Sequence, residues 1–210
     1  MTATPSRGSL ETTSSLVVST VASKTNRTQL VVRIAFPNGS SPNVGDLFAG
    51  SLEAQHQDNK YVFNNVTPGL YQLNFSGSPS IYFPISSAKV LAGLNSLNVT
   101  IYQLETFDIV VTEGPMFNNS TPAPLIQVPN DTVVQFAIHN NTTLIQNVAV
   151  VDSLNNTEYS NVLFNSLSET IGAGGSSNDT FLVSKTGGFF YACLIGNDAK
   201  LGEFGLFLVN

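Results

Sequence analysis

Few side chains in this sequence can do polar chemistry. The chain has two histidines, His56 and His139, and one cysteine, Cys193. Nucleophilic catalysis needs a thiol or hydroxyl held beside an imidazole. Cys193 with His139 is the one candidate nucleophile–imidazole pair, and nothing in the spacing brings the two together. His56 precedes Asp58-Asn59 in a polar turn, and His139 ends the run VVQFAI, so both are expected at loops or in solvent. The paired acids Asp46/Glu53 and Asp152/Glu158 fall in loop-like stretches without the pattern of an acid–base couple. The run Gly172-Ala173-Gly174-Gly175 lacks the lysine and helix that a phosphate cradle requires. No enzyme is expected on these grounds. A free cysteine between strands behaves as a small buried hydrophobe, and Cys193 is expected to be one.

The elements that must position these residues carry unusually little charge. Charged residues make up 10% of the chain, against about 25% in ordinary soluble domains. The polar surface therefore comes from Ser, Thr, Asn and Gln. A net charge of -6 with eight scattered Lys and Arg offers no basic stripe, which excludes nucleic acid as a partner. No 18-residue apolar run is present, so no transmembrane segment is expected. The N-terminus lacks the charged-then-apolar pattern of a signal peptide, so a processed start is expected.

The Asn-x-Ser/Thr pattern occurs twelve times: at Asn26, Asn38, Asn65, Asn74, Asn98, Asn118, Asn119, Asn130, Asn140, Asn141, Asn155 and Asn178. With 22 Asn, and about a fifth of the chain Ser or Thr, chance gives roughly four or five. The excess predicts an extracellular, N-glycosylated surface. One cysteine excludes an internal disulfide framework but not secretion.

Along the chain, residues 1–24 form a Ser/Thr-rich tail that ends in the β-branched run Leu16-Val17-Val18-Ser19-Thr20-Val21-Ala22. Two readings of that run are open. It is the first strand of the next domain, or a donor strand that completes a neighbouring subunit's sheet. Residues 25–104 read as short strands about ten residues apart with Gly, Pro and Asn turns, the pattern of an all-β sandwich. Residues 105–210 read as a second sandwich, with a junction at Glu105-Thr106 between two strands. The run Phe189-Phe190-Tyr191 places successive rings on opposite faces, so one ring points outward, where a partner or glycan would cover it.

Two resemblances follow. Residues Phe63-Asn64-Asn65-Val66-Thr67-Pro68-Gly69-Leu70-Tyr71 are similar to a hairpin of prealbumin-like or Ig-like modules of surface proteins. The end of the chain, GGFFYACLIGNDAKLGEFGLFLVN, resembles the last hairpin of cupredoxins, the blue-copper β-sandwich family. Tyr191, Cys193, Gly202 and Gly205 match that pattern, and Val128-Pro129-Asn130-Asp131-Thr132-Val133 matches an upstream turn. The resemblance implies copper-ligand positions at Gln146, Cys193, Asp198 and Glu203, where the family has histidine, cysteine, histidine and methionine. Only the sulfur ligand survives. Amide and carboxylate oxygens do not build a thiolate–imidazole copper site, and two carboxylates are few for calcium. No cofactor and no metal are expected.

The sequence thus predicts an all-β chain of two tandem sandwiches behind an extended N-terminal segment. The expected function is structural: an extracellular, cell-surface glycoprotein that polymerises with copies of itself by donor-strand addition. That design is similar to archaeal surface filaments and to donor-strand pili. The alternatives are a blue-copper-like electron-transfer protein and a monomeric adhesion or carbohydrate-binding module.

Overall fold

The computed structural model describes residues 27–42, 45–84, 87–114, 116–155, 159–196 and 198–210. The donor-strand candidate Leu16–Ala22 and the sequon at Asn26 lie outside the described residues. The chain divides into two compact units, with the boundary between Gln103 and Leu104.

The first unit holds strands β1 (Gln29–Ala35), β2 (Asp46–Ala49), β3 (Leu52–Glu53), β4 (Gln55–Gln57), β5 (Lys60–Asn64), β6 (Gly69–Ser76), β7 (Ile81–Tyr82), β8 (Ser87–Val90) and β9 (Leu94–Thr100). All but β7 make two four-stranded sheets, in the orders β4-β5-β1-β9 and β3-β2-β6-β8. Strand β1 shows why: Leu30, Val32 and Ile34 alternate with polar or half-buried neighbours, so one face is apolar and must be covered. Leu47 and Ala49 of β2, Leu73 of β6 and Val90 of β8 cover it from the other sheet. Strand β9 pairs with β1 in parallel, Gln29 opposite Leu94 through Ala35 opposite Thr100.

Two expectations change here. The Phe63-to-Tyr71 stretch is not a hairpin, because β5 and β6 belong to opposite sheets. Asn65 adopts a left-handed φ of 56° and turns the chain, and the buried Val66 donates its N–H to Thr28 at 3.0 Å. The tyrosine of the motif closes the crossover, since Tyr71 Oη donates to the Thr67 carbonyl at 2.8 Å. His56 is not in a turn but on β4, stacked on Tyr61 with ring centroids 4.7 Å apart.

Strand β10 (Tyr102–Thr112) runs unbroken through Glu105-Thr106, where a junction was expected. Residues 102–112 contain no glycine or proline to interrupt an extended backbone. After it come β11 (Met116–Phe117), β12 (Ala123–Val128), β13 (Thr132–Asn140), β14 (Ala149–Val151), β15 (Ser176–Val183), β16 (Gly187–Ala192), the four-residue helix α1 (Asp198–Leu201) and β17 (Phe204–Val209). The second unit's sheets run β11-β10-β13-β15 and β12-β17-β16-β14. Its core draws Ile109, Val134, Phe136, Ile138 and Phe181 from one sheet and Ile126, Val150, Phe189, Tyr191 and Phe207 from the other. No helix among the described residues is long and apolar enough to cross a membrane.

Tyr191 anchors that core. Its ring stacks on Phe117 at 5.6 Å, and its hydroxyl donates to the Pro124 carbonyl at 2.6 Å. Gly205 faces it across the β16–β17 pair, and a Cβ there would collide with the tyrosine ring. The outward ring of the aromatic run, Phe190, is covered by the chain itself. It meets Phe204 edge-on at 5.9 Å in a cluster with Leu194, Ala199, Leu154 and Val162.

Candidate metal centre

Strands β16 and β17 form the antiparallel hairpin expected at the end of the chain, with Gly187 opposite Val209 and Ala192 opposite Phe204. The connection between them folds back as α1. Gly202, at a φ of 116° that favours glycine, reverses the chain, and the Glu203 N–H reaches the Asp198 carbonyl at 3.0 Å. Glu203 thereby returns beside Cys193, whose N–H donates to the Glu203 carbonyl at 3.3 Å.

The third element comes from the segment before β14. Gln146 is held by two backbone hydrogen bonds with Ile171, of 2.9 and 2.7 Å. Asn147 is buried, and its Oδ1 accepts the Leu194 N–H at 2.8 Å, tying this segment to the one that carries Cys193. All four positions singled out in the sequence, Gln146, Cys193, Asp198 and Glu203, therefore meet at one end of the second unit.

Their chemistry is uneven. Cys193 Sγ lies 2.9 Å from Gln146 Oε1 and 3.6 Å from Asn147 Oδ1, and it accepts the Ile195 N–H at 3.4 Å. The ligating atoms of Cys193, Asp198 and Glu203 lie within 4.8 Å of one another. Glu203 is 1% exposed, and neither of its carboxylate oxygens has a hydrogen-bond partner. A thiol has one proton, and its shortest contact here is to Gln146, so Glu203 is left at most a weak share of it. Burial pushes the Glu203 carboxyl up to about 8, with the Asp198 charge adding to the effect. Burial likewise pushes the Cys193 thiol up to about 12, and the Glu203 and Asp198 charges act in the same direction. As it stands the thiol is protonated and unreactive.

A blue-copper centre does not fit these residues, because it needs two imidazoles in a trigonal set with the thiolate. Of the two histidines, His56 belongs to the first unit, and His139 is exposed on β13 with Nδ1 2.9 Å from Ser176 Oγ. Gln146 and Asp198 fill the places implied for the imidazoles, and both offer hard oxygen.

The sequons separate by burial. Asn38, Asn65, Asn74, Asn98, Asn119, Asn141, Asn155 and Asn178 are exposed, while Asn118 and Asn130 are half-buried. Asn118 uses its amide internally, accepting from the Val110 N–H at 2.8 Å and donating to the Asp108 carbonyl at 3.2 Å. Asn140 corrects the sequence reading. It is fully buried, and its Nδ2 donates to the carbonyls of Leu144, Ile171 and Gly172 at 2.7, 3.0 and 3.1 Å. In the folded chain that nitrogen has no room for a glycan. Neither Asn140 nor Asn147 is marked for its buried role in the sequence, where the Asn140 sequon reads like the exposed ones.

The chain matches no protein-family model and no curated protein. Among solved structures it is similar to a dithionite-reduced auracyanin from Roseiflexus castenholzii, at 17% identity and a TM-score of 0.43, covering 50% of this chain and 96% of that one. It is similar to auracyanin A, a "blue" copper protein from Chloroflexus aurantiacus, at 18% identity and a TM-score of 0.43, covering 51% and 99%. It is also similar to a blue copper oxidase from Nitrosomonas europaea, at 21% identity and a TM-score of 0.42, covering 51% of this chain and 39% of that one.

Proposed function

We propose that this chain is an extracellular, N-glycosylated structural protein that polymerises into a cell-surface filament. In this reading the segment Leu16–Ala22 of one copy adds as a strand to a sheet edge of the next. The observation that carries it is the edge strand β9. Among the described residues β9 is hydrogen-bonded on one side only, to β1. It runs for seven residues, LNSLNVT, without a proline or a charge. Proteins usually blunt such an edge with lysine, proline or a bulge, because a bare edge templates another strand. The other edge of that sheet, β4, is three residues long.

The donor segment is also seven residues long and rich in β-branched side chains. Strand addition supplies main-chain hydrogen bonds along the edge, and alternate side chains supply register. Eight exposed sequons and a surface poor in charge suit a glycosylated exterior that does not rely on ionic contacts.

Size measurement by light scattering tests the proposal. The full chain is expected as polymers, and a chain lacking residues 1–24 as monomers. A truncated chain that still polymerises, or a full chain that stays monomeric at high concentration, overturns it. The second outcome leaves the adhesion module.

A further inference from the structure

The interior of the second unit contains a cluster that the structural role does not use. Its unusual member is Glu203, a carboxyl 1% exposed, on the chain's closing hairpin, with both oxygens unpartnered. Buried carboxyl groups are normally hydrogen-bonded, so an orphaned pair of oxygens calls for a missing partner. The polar side-chain atoms close to it are the Asp198 carboxylate, the Cys193 thiol, whose single proton makes its shortest contact to Gln146, and, beyond the sulfur, Gln146 Oε1. A cation satisfies such a set where a neutral donor does not.

We propose that Gln146, Cys193, Asp198 and Glu203 bind a divalent metal of borderline softness, of which zinc is the type. The choice follows from the donors. A thiolate sets the site apart from magnesium and calcium, which take all-oxygen shells, and calcium needs six to eight oxygens. The absence of imidazole from the cluster sets it apart from the blue-copper set. One thiolate and two carboxylates are ligands that zinc takes, and the Gln146 amide oxygen beside the sulfur stands at the fourth position of a tetrahedral shell.

The distances are close to what such a site requires. Metal–oxygen bonds of about 2.1 Å and a metal–sulfur bond of about 2.3 Å place tetrahedral donors roughly 3.4–3.7 Å apart. The Sγ–Oε1 pair, now at 2.9 Å, opens slightly, and the carboxylates, now within 4.8 Å, close by about an ångström. Rotation of the Asp198 and Glu203 side chains supplies that change. Asp198 is half-buried at the start of α1 and gives the ion a way in from solvent. Binding releases the thiol proton and the Glu203 carboxyl proton to solvent as the thiolate and the carboxylate join the metal. Asn147 and the Ile195 N–H hold the sulfur from behind as outer-shell partners.

The site is independent of assembly and is tested without it. The full chain, stripped with chelator, is titrated with zinc against a chromogenic competitor, then loaded with cobalt and its absorption recorded. Expected are one zinc per chain, a higher melting temperature with zinc, and a cobalt spectrum with tetrahedral visible bands and a thiolate charge-transfer band. Glu203→Gln should lower zinc affinity more than about 100-fold, above the effect of losing an outer-shell partner. Asp198→Asn, nearer solvent, should do the same while leaving the metal-free melting temperature within a degree or two. Zinc uptake that survives both substitutions, or no uptake at all, overturns the proposal. So does an intense visible thiolate–copper band with copper(II) in the absence of zinc uptake.

Discussion

Cys193 Sγ donates to Gln146 Oε1 at 2.9 Å across 47 residues of sequence, and that bond leaves Glu203 at most a weak share of the thiol proton. In the metal-free protein Glu203 is therefore a burden on stability rather than a support. Replacing a buried unpaired acid by an apolar residue of similar volume removes its desolvation cost. Glu203→Met is expected to stabilise the metal-free chain by about 1–3 kcal/mol. Chemical denaturation in chelator checks it, and a variant less stable than the parent contradicts it.

The same carboxyl sets a pH dependence with a definite sign. Its folded value is about 8, while an unfolded carboxyl titrates near 4.3. Between those values the folded chain holds a proton that the unfolded chain has released, so stability falls as pH rises. Asp179, which burial raises to about 6 and whose Oδ2 is unpartnered, contributes with the same sign over a narrower window. The metal-free protein is thus expected to melt highest near pH 4–5 and to lose on the order of a few kcal/mol by pH 8–9. Glu203→Gln should flatten the slope. Melting curves in chelator that rise with pH across this range refute the assignment.

Packing around Tyr191 gives a prediction free of electrostatics. An alanine at Gly205 would drive its Cβ into the tyrosine ring, which is fixed by Phe117 and by the Pro124 carbonyl. Gly205→Ala is expected to cost about 2–3 kcal/mol. Gly188, on the partner strand, meets nothing within 4 Å of an added Cβ, and Gly188→Ala should be nearly neutral. Equal effects of the two substitutions on denaturant midpoint would contradict this account.

These sites show how far the sequence could be read. The closing hairpin and the buried Cys193 were legible from strand period, and the meeting of Gln146, Asp198 and Glu203 only from the resemblance to the cupredoxin pattern, which implied those positions. What the sequence withheld was the state of Glu203. Burial of a carboxyl depends on how α1 and Gly202 fold the loop back, and that is a three-dimensional fact. Asn140 was misread for a related reason. Its sequon is indistinguishable in sequence from the exposed ones, yet its amide closes the loop over Ile171 and Gly172. The Phe63-to-Tyr71 crossover was taken for a hairpin because a turn motif does not say which sheet the next strand joins.

Asn140 therefore makes its own prediction. Glycopeptide mapping of native material is expected to find glycan among the exposed sequons, such as Asn38, Asn65 and Asn98, and none at Asn140. Asn140→Gln should destabilise the fold by about 1–3 kcal/mol, since it misplaces a buried donor that serves three backbone carbonyls. A glycan on Asn140 in folded protein contradicts the assignment.

Polymerisation by Leu16–Ala22 is the central claim, and negative-stain imaging of the full chain beside a full-length Val17→Asp/Val21→Asp variant tests it most directly. Two charges on the donor segment cost far more inside a sheet contact than in solvent. Filaments from the parent and isolated particles from the variant are the predicted result. Filaments from both, or from neither, contradict it.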